Sequence, residues 1–323
     1  MAAARGRHGR GMSMTAYILI AVGAGIVSVL SLLALSFGLF EGMVFAYLTP
    51  LPLFLVGLSL GAPAAIIAGG VGTLLTSSMG TLMGGPSSVP LGLCYLIAFA
   101  APTVLLCRQS LLWRNDAKGQ PVWYPLGHLA VVLAAIMAVY VLLAFAGAAL
   151  FGDGLMPMLE ATMKDFAGAI AAGEATEAIV GQAGFVPMAI CFSTMLMLVF
   201  NGSLAQGLLQ RVNRNIRPGA DIATLQLPLG LLPAMLVAVT LAFLPGTAGV
   251  IGKTLAAVGA VTYFLAGLGV IHAWVRNWSA RGIVLPLVYV AVFFIGLWLA
   301  VVGLGLWSQI NGLRAASADR KEE

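Results

Sequence analysis

This sequence is short of charge. Only 8% of its 323 residues are charged and 61% are hydrophobic, where a soluble domain carries roughly 25% and 45–50%. No globule covers itself with so few charges, which excludes a water-soluble enzyme, a nucleic-acid binder and a disordered chain. Cysteine is scarcer still, with three residues. Cys94, Cys107 and Cys191 all lie in apolar runs and none forms a CxxC pair. Neither a disulfide framework nor a zinc site is supported, and small core residues are the simple reading. The alternating segments of roughly ten residues that build a membrane β-barrel are missing too.

The apolar runs themselves lack charge at their centres. No Asp, Glu or Arg falls in the middle of any of them. Such residues are costly inside a bilayer and mark proton relays, so proton coupling and charged substrates at mid-depth are disfavoured. Sodium coupling through carbonyls and hydroxyls at broken helices stays open. There is no H-E-x-x-H, no pair of membrane aspartates and no Walker A sequence, so those routes to proteolysis or ATP hydrolysis are closed. No strand, cofactor or metal is expected.

What remains is apolar runs of about 20 residues, the length that spans hydrocarbon as a helix. They cover approximately 15–37, 42–60, 62–84, 87–107, 125–151, 184–208, 227–246, 249–274 and 283–309. The fold class is therefore all-α: a polytopic transmembrane helical bundle of about nine spans, with eight as the alternative. The alternative arises if the Pro50/Pro52 segment does not cross, or if the ninth run is two half-helices. The first run follows a basic stretch but exceeds 20 residues and has no A-x-A cleavage signal before Glu41. It reads as an uncleaved first helix.

Orientation comes from the basic residues. Arg5, Arg7, Arg10, Arg108, Arg114, Lys118, Arg211, Arg214, Arg217, Arg276 and Arg281 all fall on one side when the loops are counted alternately, and Lys164 and Lys253 on the other, where nine spans also put the C-terminal tail, whose Arg314, Asp319, Arg320, Lys321, Glu322 and Glu323 carry no net charge. The positive-inside rule then places the N-terminus in the cytoplasm. The expected address is the bacterial inner membrane. The net charge of +5 is thereby an orientation signal, and nucleic acid is not implied as a partner.

The chain divides on this reading into a basic tail (1–14), six spans with a long outer loop (15–208, loop 152–183), three further spans (209–309) and a polar tail (310–323). In the loop, Leu155, Leu159, Met163, Phe166 and Ile170 recur at helical spacing, which predicts an amphipathic surface helix. It either caps the bundle or forms a lid over an outward-facing site.

Two sets of residues are candidates for function. Hydroxyls gather toward the outer side: Thr76, Ser77, Ser78 and Thr81 on the third run, Ser87, Ser88 and Tyr95 on the fourth, Tyr140 on the fifth, Ser193 and Thr194 on the sixth. Of these, Ser77, Thr81, Ser88, Tyr95, Tyr140 and Ser193 are the candidate ligand-binding residues. Hydroxyls in membrane helices also bond their own preceding turn, which is the plainer reading. Asn201 and Gln206 are expected to bond between helices. Small residues at helical spacing, Ala21 with Gly25 and Gly57 with Gly61, allow close helix approach, either inside the bundle or against a partner subunit.

Several stretches resemble known families. LFLVGLSLGAPAAIIAGG (53–70) is similar to a helix, tight G-A-P turn and helix of the substrate-capture subunits (S components) of energy-coupling-factor transporters. NGSLAQGLLQR (201–211) and LAGLGVIHAW (265–274) resemble the YybS-like family of predicted bacterial integral membrane proteins, which has no established activity. The S-component resemblance covers roughly the first 200 residues. It implies a six-helix bundle that binds a small molecule near the outer face. It also implies docking to a transmembrane coupling protein with ATPase subunits, with Ala21 and Gly25 at the docking position. About three extra spans depart from that pattern. The expected function is binding or transport of a small, weakly charged molecule, energised by a partner if at all. The alternatives are a scaffold or assembly factor for an envelope complex and, third, an interfacial lipid enzyme built on Glu41 or the outer loop.

Overall fold

The computed structural model describes residues 12–37, 39–82, 88–170 and 174–322. Arg5, Arg7, Arg10 and Ser87 lie outside them, as do the side chains of Glu41, Ile170 and 313–322. Helix α1 (Met14–Leu33) opens at Ser13, whose Oγ accepts the Ala16 N–H at 3.2 Å. A 3₁₀ turn (Ala34–Phe37) leads to α2 (Leu39–Tyr47). Residues 48–50 break the rod before α3 (Leu51–Leu60). Gly61, at φ 102°, turns the chain into α4 (Ala62–Leu82), a conformation that favours glycine. The helix–turn–helix expected over 53–70 is thus what the backbone does. Then come α5 (Val89–Tyr95), a π turn (Leu96–Ala100) and α6 (Ala101–Ser110).

A small hairpin follows, β1 (Trp113–Asn115) antiparallel to β2 (Pro121–Trp123), with Arg114 opposite Val122. It corrects the expectation of no strand. Asp116 builds the turn by accepting the Lys118 and Gln120 N–H groups at 2.9 and 2.8 Å, and Gly119 supplies φ 76°. The remaining elements are α7 (Leu126–Phe151), α8 (Leu155–Ile170), α9 (Glu174–Val180), α10 (Val186–Arg211), α11 (Leu231–Ala242), α12 (Gly246–Val275), α13 (Arg281–Phe294) and α14 (Trp298–Glu322).

Seven helical stretches among the described residues are long and apolar enough to cross a bilayer: Met14–Ser36, Gly42–Leu60, Ala62–Met79, Val89–Ser110, Leu126–Phe151, Thr176–Arg211 and Gly246–Val275. They match seven of the nine expected runs. The other two contain shorter helices, Leu231–Ala242 and Arg281–Val292. Twelve helical residues rise only about 18 Å, short of the roughly 30 Å of hydrocarbon. The run 283–309 is not one helix: Pro286 lies inside α13, and Gly296, at φ 77°, separates α13 from α14. The chain is an all-α, multi-pass membrane protein.

Contacts divide it into two compact units, Met1–Pro125 with Leu196–Ala220, and Leu126–Met195 with Asp221–Glu323. In the first, small residues bring helices close, as packing in lipid requires. Ala21, Ala64 and Ala68 are fully buried. A Cβ on Gly57 would sit 2.5 Å from the Cys107 Sγ, and one on Gly69 would sit 3.0 Å from the Ala100 Cβ. Leu53, Val56 and Tyr95 complete this core.

In the second unit α12 is central. A Cβ at Gly252 would overlap the α11 backbone at Ala242, and one at Gly267 would overlap Val301 of α14. Tyr263 donates to Gln309 Oε1 at 2.6 Å, and Gln309 Nε2 donates to the Pro228 carbonyl oxygen at 2.8 Å. Asp221 pairs with Arg276 on the surface. Helix α8 is amphipathic as expected, but its inward stripe is Leu155, Leu159, Met163 and Ala167. Phe166 points out, 58% exposed, because steps of four from Leu155 reach Ala167 and leave Phe166 beside the stripe.

Candidate functional site

Break of the second span is where chemistry concentrates. Pro50 and Pro52 lack N–H groups, so a helix cannot bond through them. The chain tightens instead. Leu48 N–H bonds the Phe45 carbonyl at 2.9 Å, Thr49 N–H the Ala46 carbonyl at 3.1 Å, and Leu51 N–H the Leu48 carbonyl at 2.9 Å. These three-residue steps bypass the Tyr47 carbonyl. In an apolar interior every such group needs a partner.

Side chains from distant helices supply the partners. Asn201 of α10 donates through Nδ2 to the Tyr47 carbonyl oxygen at 2.7 Å and to the Met197 carbonyl oxygen at 2.8 Å. Ser28 of α1 donates through Oγ to the Thr49 carbonyl oxygen at 2.6 Å, and its Oγ lies 2.7 Å from the Tyr95 hydroxyl. Since a carbonyl only accepts and a hydroxyl has one proton, Tyr95 must donate to Ser28. The relay therefore runs from Tyr95 to Ser28 to Thr49.

Two oxygens in this network have no partner: Thr49 Oγ1 and Asn201 Oδ1. Thr49 and Asn201 are both fully buried. The amide orientation is fixed, because both bonds from Nδ2 go to carbonyls, and turning the amide over would leave oxygen against oxygen. Asn201 therefore holds a bare acceptor in the interior. Ser28, Thr49, Tyr95 and Asn201 each lie six or more residues from the ends of their helical stretches. The π turn at Leu96–Ala100, a feature common at functional sites, begins directly after Tyr95.

The sequence-expected residues distribute as follows. Tyr95 belongs to the network, 1% exposed, and its hydroxyl faces Ser28. Ser77 and Ser88 meet through the Ser88 N–H and Ser77 carbonyl at 3.1 Å, and the Ser77 side chain lies against Gly92 of α5. Thr81 is exposed and bonds its own helix, to the Ser78 carbonyl at 2.8 Å. Thr76 and Ser78 also bond back along α4, so the plainer reading of these hydroxyls holds there. These residues belong to the first unit; Tyr140, half-buried, and Ser193, exposed, belong to the second. Ala21 and Gly25 pack inside the chain. Ala21 is fully buried, and a Cβ on Gly25 would lie 2.5 Å from the Ala68 carbonyl oxygen. Helix α4 occupies the face where a partner subunit was expected.

Asn201 bonds between helices as expected, and Gln206 reaches the Arg217 carbonyl oxygen at 2.7 Å. Ser28 and Thr49 gave no sequence signal of their own; the nearest one was the Pro50/Pro52 pair beside Thr49. Arg217 enters the sequence reading only as an orientation signal, and its burial is not legible there. It is 8% exposed and donates through a guanidinium nitrogen to the Ser110 carbonyl oxygen at 3.2 Å, at the C-terminus of α6. Burial lowers its pKa from the ordinary arginine value, and the negative end of the α6 dipole accommodates the charge.

In the second unit, α7 and α8 border an open, mainly apolar groove of about 600 Å³, lined by Ala144, Ala148, Phe151, Leu155 and Met158, with Asp153 at its edge. No group of three or more His, Cys, Asp or Glu side chains is placed to hold a metal among the described residues. The chain matches no family model, no curated protein and no solved structure.

Proposed function

We propose that this protein binds a small, neutral or weakly charged polar molecule within the bilayer, for capture or passage, at the break of its second span. The carrying observation is the pair of unpaired, fully buried oxygens, Thr49 Oγ1 and Asn201 Oδ1, beside an interrupted membrane helix. Buried polar atoms are paired unless something external pairs them, and interrupted helices at mid-depth are a recurrent means of building solute sites in transporters. The charge pattern supports a multi-pass chain with the N-terminus in the cytoplasm of a bacterium and the protein in the inner membrane. Resemblance to S components supports the capture reading. A coupling protein with ATPase subunits is then the class of partner that would supply energy.

The scaffold reading draws less support. The small-residue faces at Gly25, Gly57 and Gly69 are filled by Ala68, Cys107 and Ala100 of the same chain. Native mass spectrometry of protein purified gently from its own membrane tests the choice. A retained metabolite lost on Asn201→Leu, in protein that still folds, supports the binding reading. A preparation that carries only envelope proteins and no small molecule overturns it.

A further inference from the structure

The chemistry of the break is one-sided. Proline at positions 50 and 52 deletes two N–H donors. The Tyr47 and Thr49 carbonyls each have one side-chain donor and a second lone pair. Thr49 Oγ1 and Asn201 Oδ1 have no partner at all. Helix α2 ends here, so its C-terminal carbonyls add negative potential, while the prolines thin out the N–H groups that α3 would offer an anion. Oxygen lone pairs outnumber donors in a fully buried place.

From this surplus we infer that the break binds a dehydrated sodium ion, with Thr49 Oγ1 and Asn201 Oδ1 as side-chain ligands and the break carbonyls available beside them. Neutral oxygens alone suit a small monovalent cation. A calcium or magnesium site would want carboxylates, and no Asp or Glu falls in the middle of any apolar run. Unwound backbone carbonyls and half-helix C-terminal ends are what interrupted membrane helices offer sodium, and here two neutral side-chain oxygens stand beside them. The inference rests on reading the break as a binding site, and it makes sodium the ion that orders that site for its solute.

The test uses the full chain in detergent or nanodiscs. Thermal unfolding is followed in sodium chloride, potassium chloride and choline chloride at equal ionic strength. A saturable rise of a few degrees in sodium alone is expected, since a ligand stabilises the folded state it binds. Thr49→Val keeps the side-chain shape and removes only an unpaired hydroxyl, so it should fold and melt in choline as the unmodified protein does, or higher. It should lose the sodium rise, and Thr49→Ser should restore it. Equal melting in all three salts overturns the inference, and so does a sodium rise that survives Thr49→Val: either leaves a bound water as the partner of the two oxygens. The two readings fail separately. A bound metabolite with no sodium effect overturns the ion alone, whereas a sodium effect in protein that never retains a metabolite supports the ion and overturns the solute.

Discussion

Asn201 and Tyr47 lie 154 positions apart, yet the Asn201 Nδ2 stands 2.7 Å from the Tyr47 carbonyl oxygen. The bond replaces the one that a continuous helix would have made from the N–H of Leu51, which turns instead to Leu48. An interruption in mid-membrane is thereby made tolerable by one amide. Asn201→Leu should strand the Tyr47 carbonyl and cost about 1–3 kcal/mol, seen as a lower melting temperature. Pro50→Ala removes one of the two obstacles to a continuous helix, the one nearer Tyr47. The double variant should therefore lose less than the sum of the two single losses, a coupling that a thermal double-mutant cycle measures. Additive losses would mean that the amide does not stand in for the missing helix bond.

Ser28 and Tyr95 contribute unequally to their relay. Tyr95→Phe removes a donor but leaves the bond from Ser28 to the Thr49 carbonyl, so a loss of about 0.5–1.5 kcal/mol is expected. Ser28→Ala strands two buried groups at once, the Thr49 carbonyl and the Tyr95 hydroxyl, and should cost about 2–4 kcal/mol. Adding Tyr95→Phe to Ser28→Ala should recover part of that loss, because it deletes one of the stranded groups. Melting temperatures of the three variants decide it. Should Tyr95→Phe prove the costlier single change, the donor order is the reverse of the one derived from the single Ser28 proton.

Apolar runs, their approximate limits and the Gly61 turn could be read from sequence because each depends on local chemistry: hydrophobic length, a residue that tolerates positive φ, a proline in the first turn. The break could be read only in part. Pro50 and Pro52 announced an interruption, but the residues that repair it come from positions 28, 95 and 201, and no local pattern joins them. Tyr95 stands among the hydroxyls that the sequence groups as candidates, and its partner Ser28 lies 67 positions away with no local pattern to join them. Helical spacing places Phe166 on the stripe of α8 by counting three from Met163, where the helix face follows four to Ala167. The run 283–309 reads from sequence as either one helix or two half-helices, because Gly296 is apolar company for its neighbours, and only its φ of 77° reveals the turn.

Arg217 carries a charge into a nearly closed place with no carboxylate partner among the described residues. Burial lowers its pKa, so the folded chain holds this proton less tightly than the unfolded chain. On this group's account stability rises with pH, and only as the pH nears the lowered folded value. Arg217→Met keeps much of the packed stem and removes the charge. It should change stability by no more than about 1 kcal/mol, because relief from desolvation offsets the lost bond to Ser110. Arg217→Ala also loses the stem packing and should cost about 1–3 kcal/mol. Chemical or thermal unfolding at neutral pH compares them; a Met variant as damaged as the Ala variant would show that the charge at the end of α6 stabilises the fold.

Gly25 decides whether the first helix is occupied or available. A Cβ there would lie 2.5 Å from the Ala68 carbonyl oxygen and 3.0 Å from the Val71 Cβ, and the first of these is backbone that cannot rotate away. Gly25→Ala should force α1 from α4 and cost about 1–3 kcal/mol, while Gly23→Ala, with open space around it, should be neutral or slightly stabilising through helix propensity. The comparison separates packing from docking. If α1 and α4 pack as described, the melting temperature falls for Gly25→Ala in the purified chain alone, with no partner present. If Gly25→Ala melts like the unmodified protein but no longer co-purifies with a membrane subunit, then the Ala21/Gly25 face serves a partner and the contact with Ala68 is not what holds α1 in place.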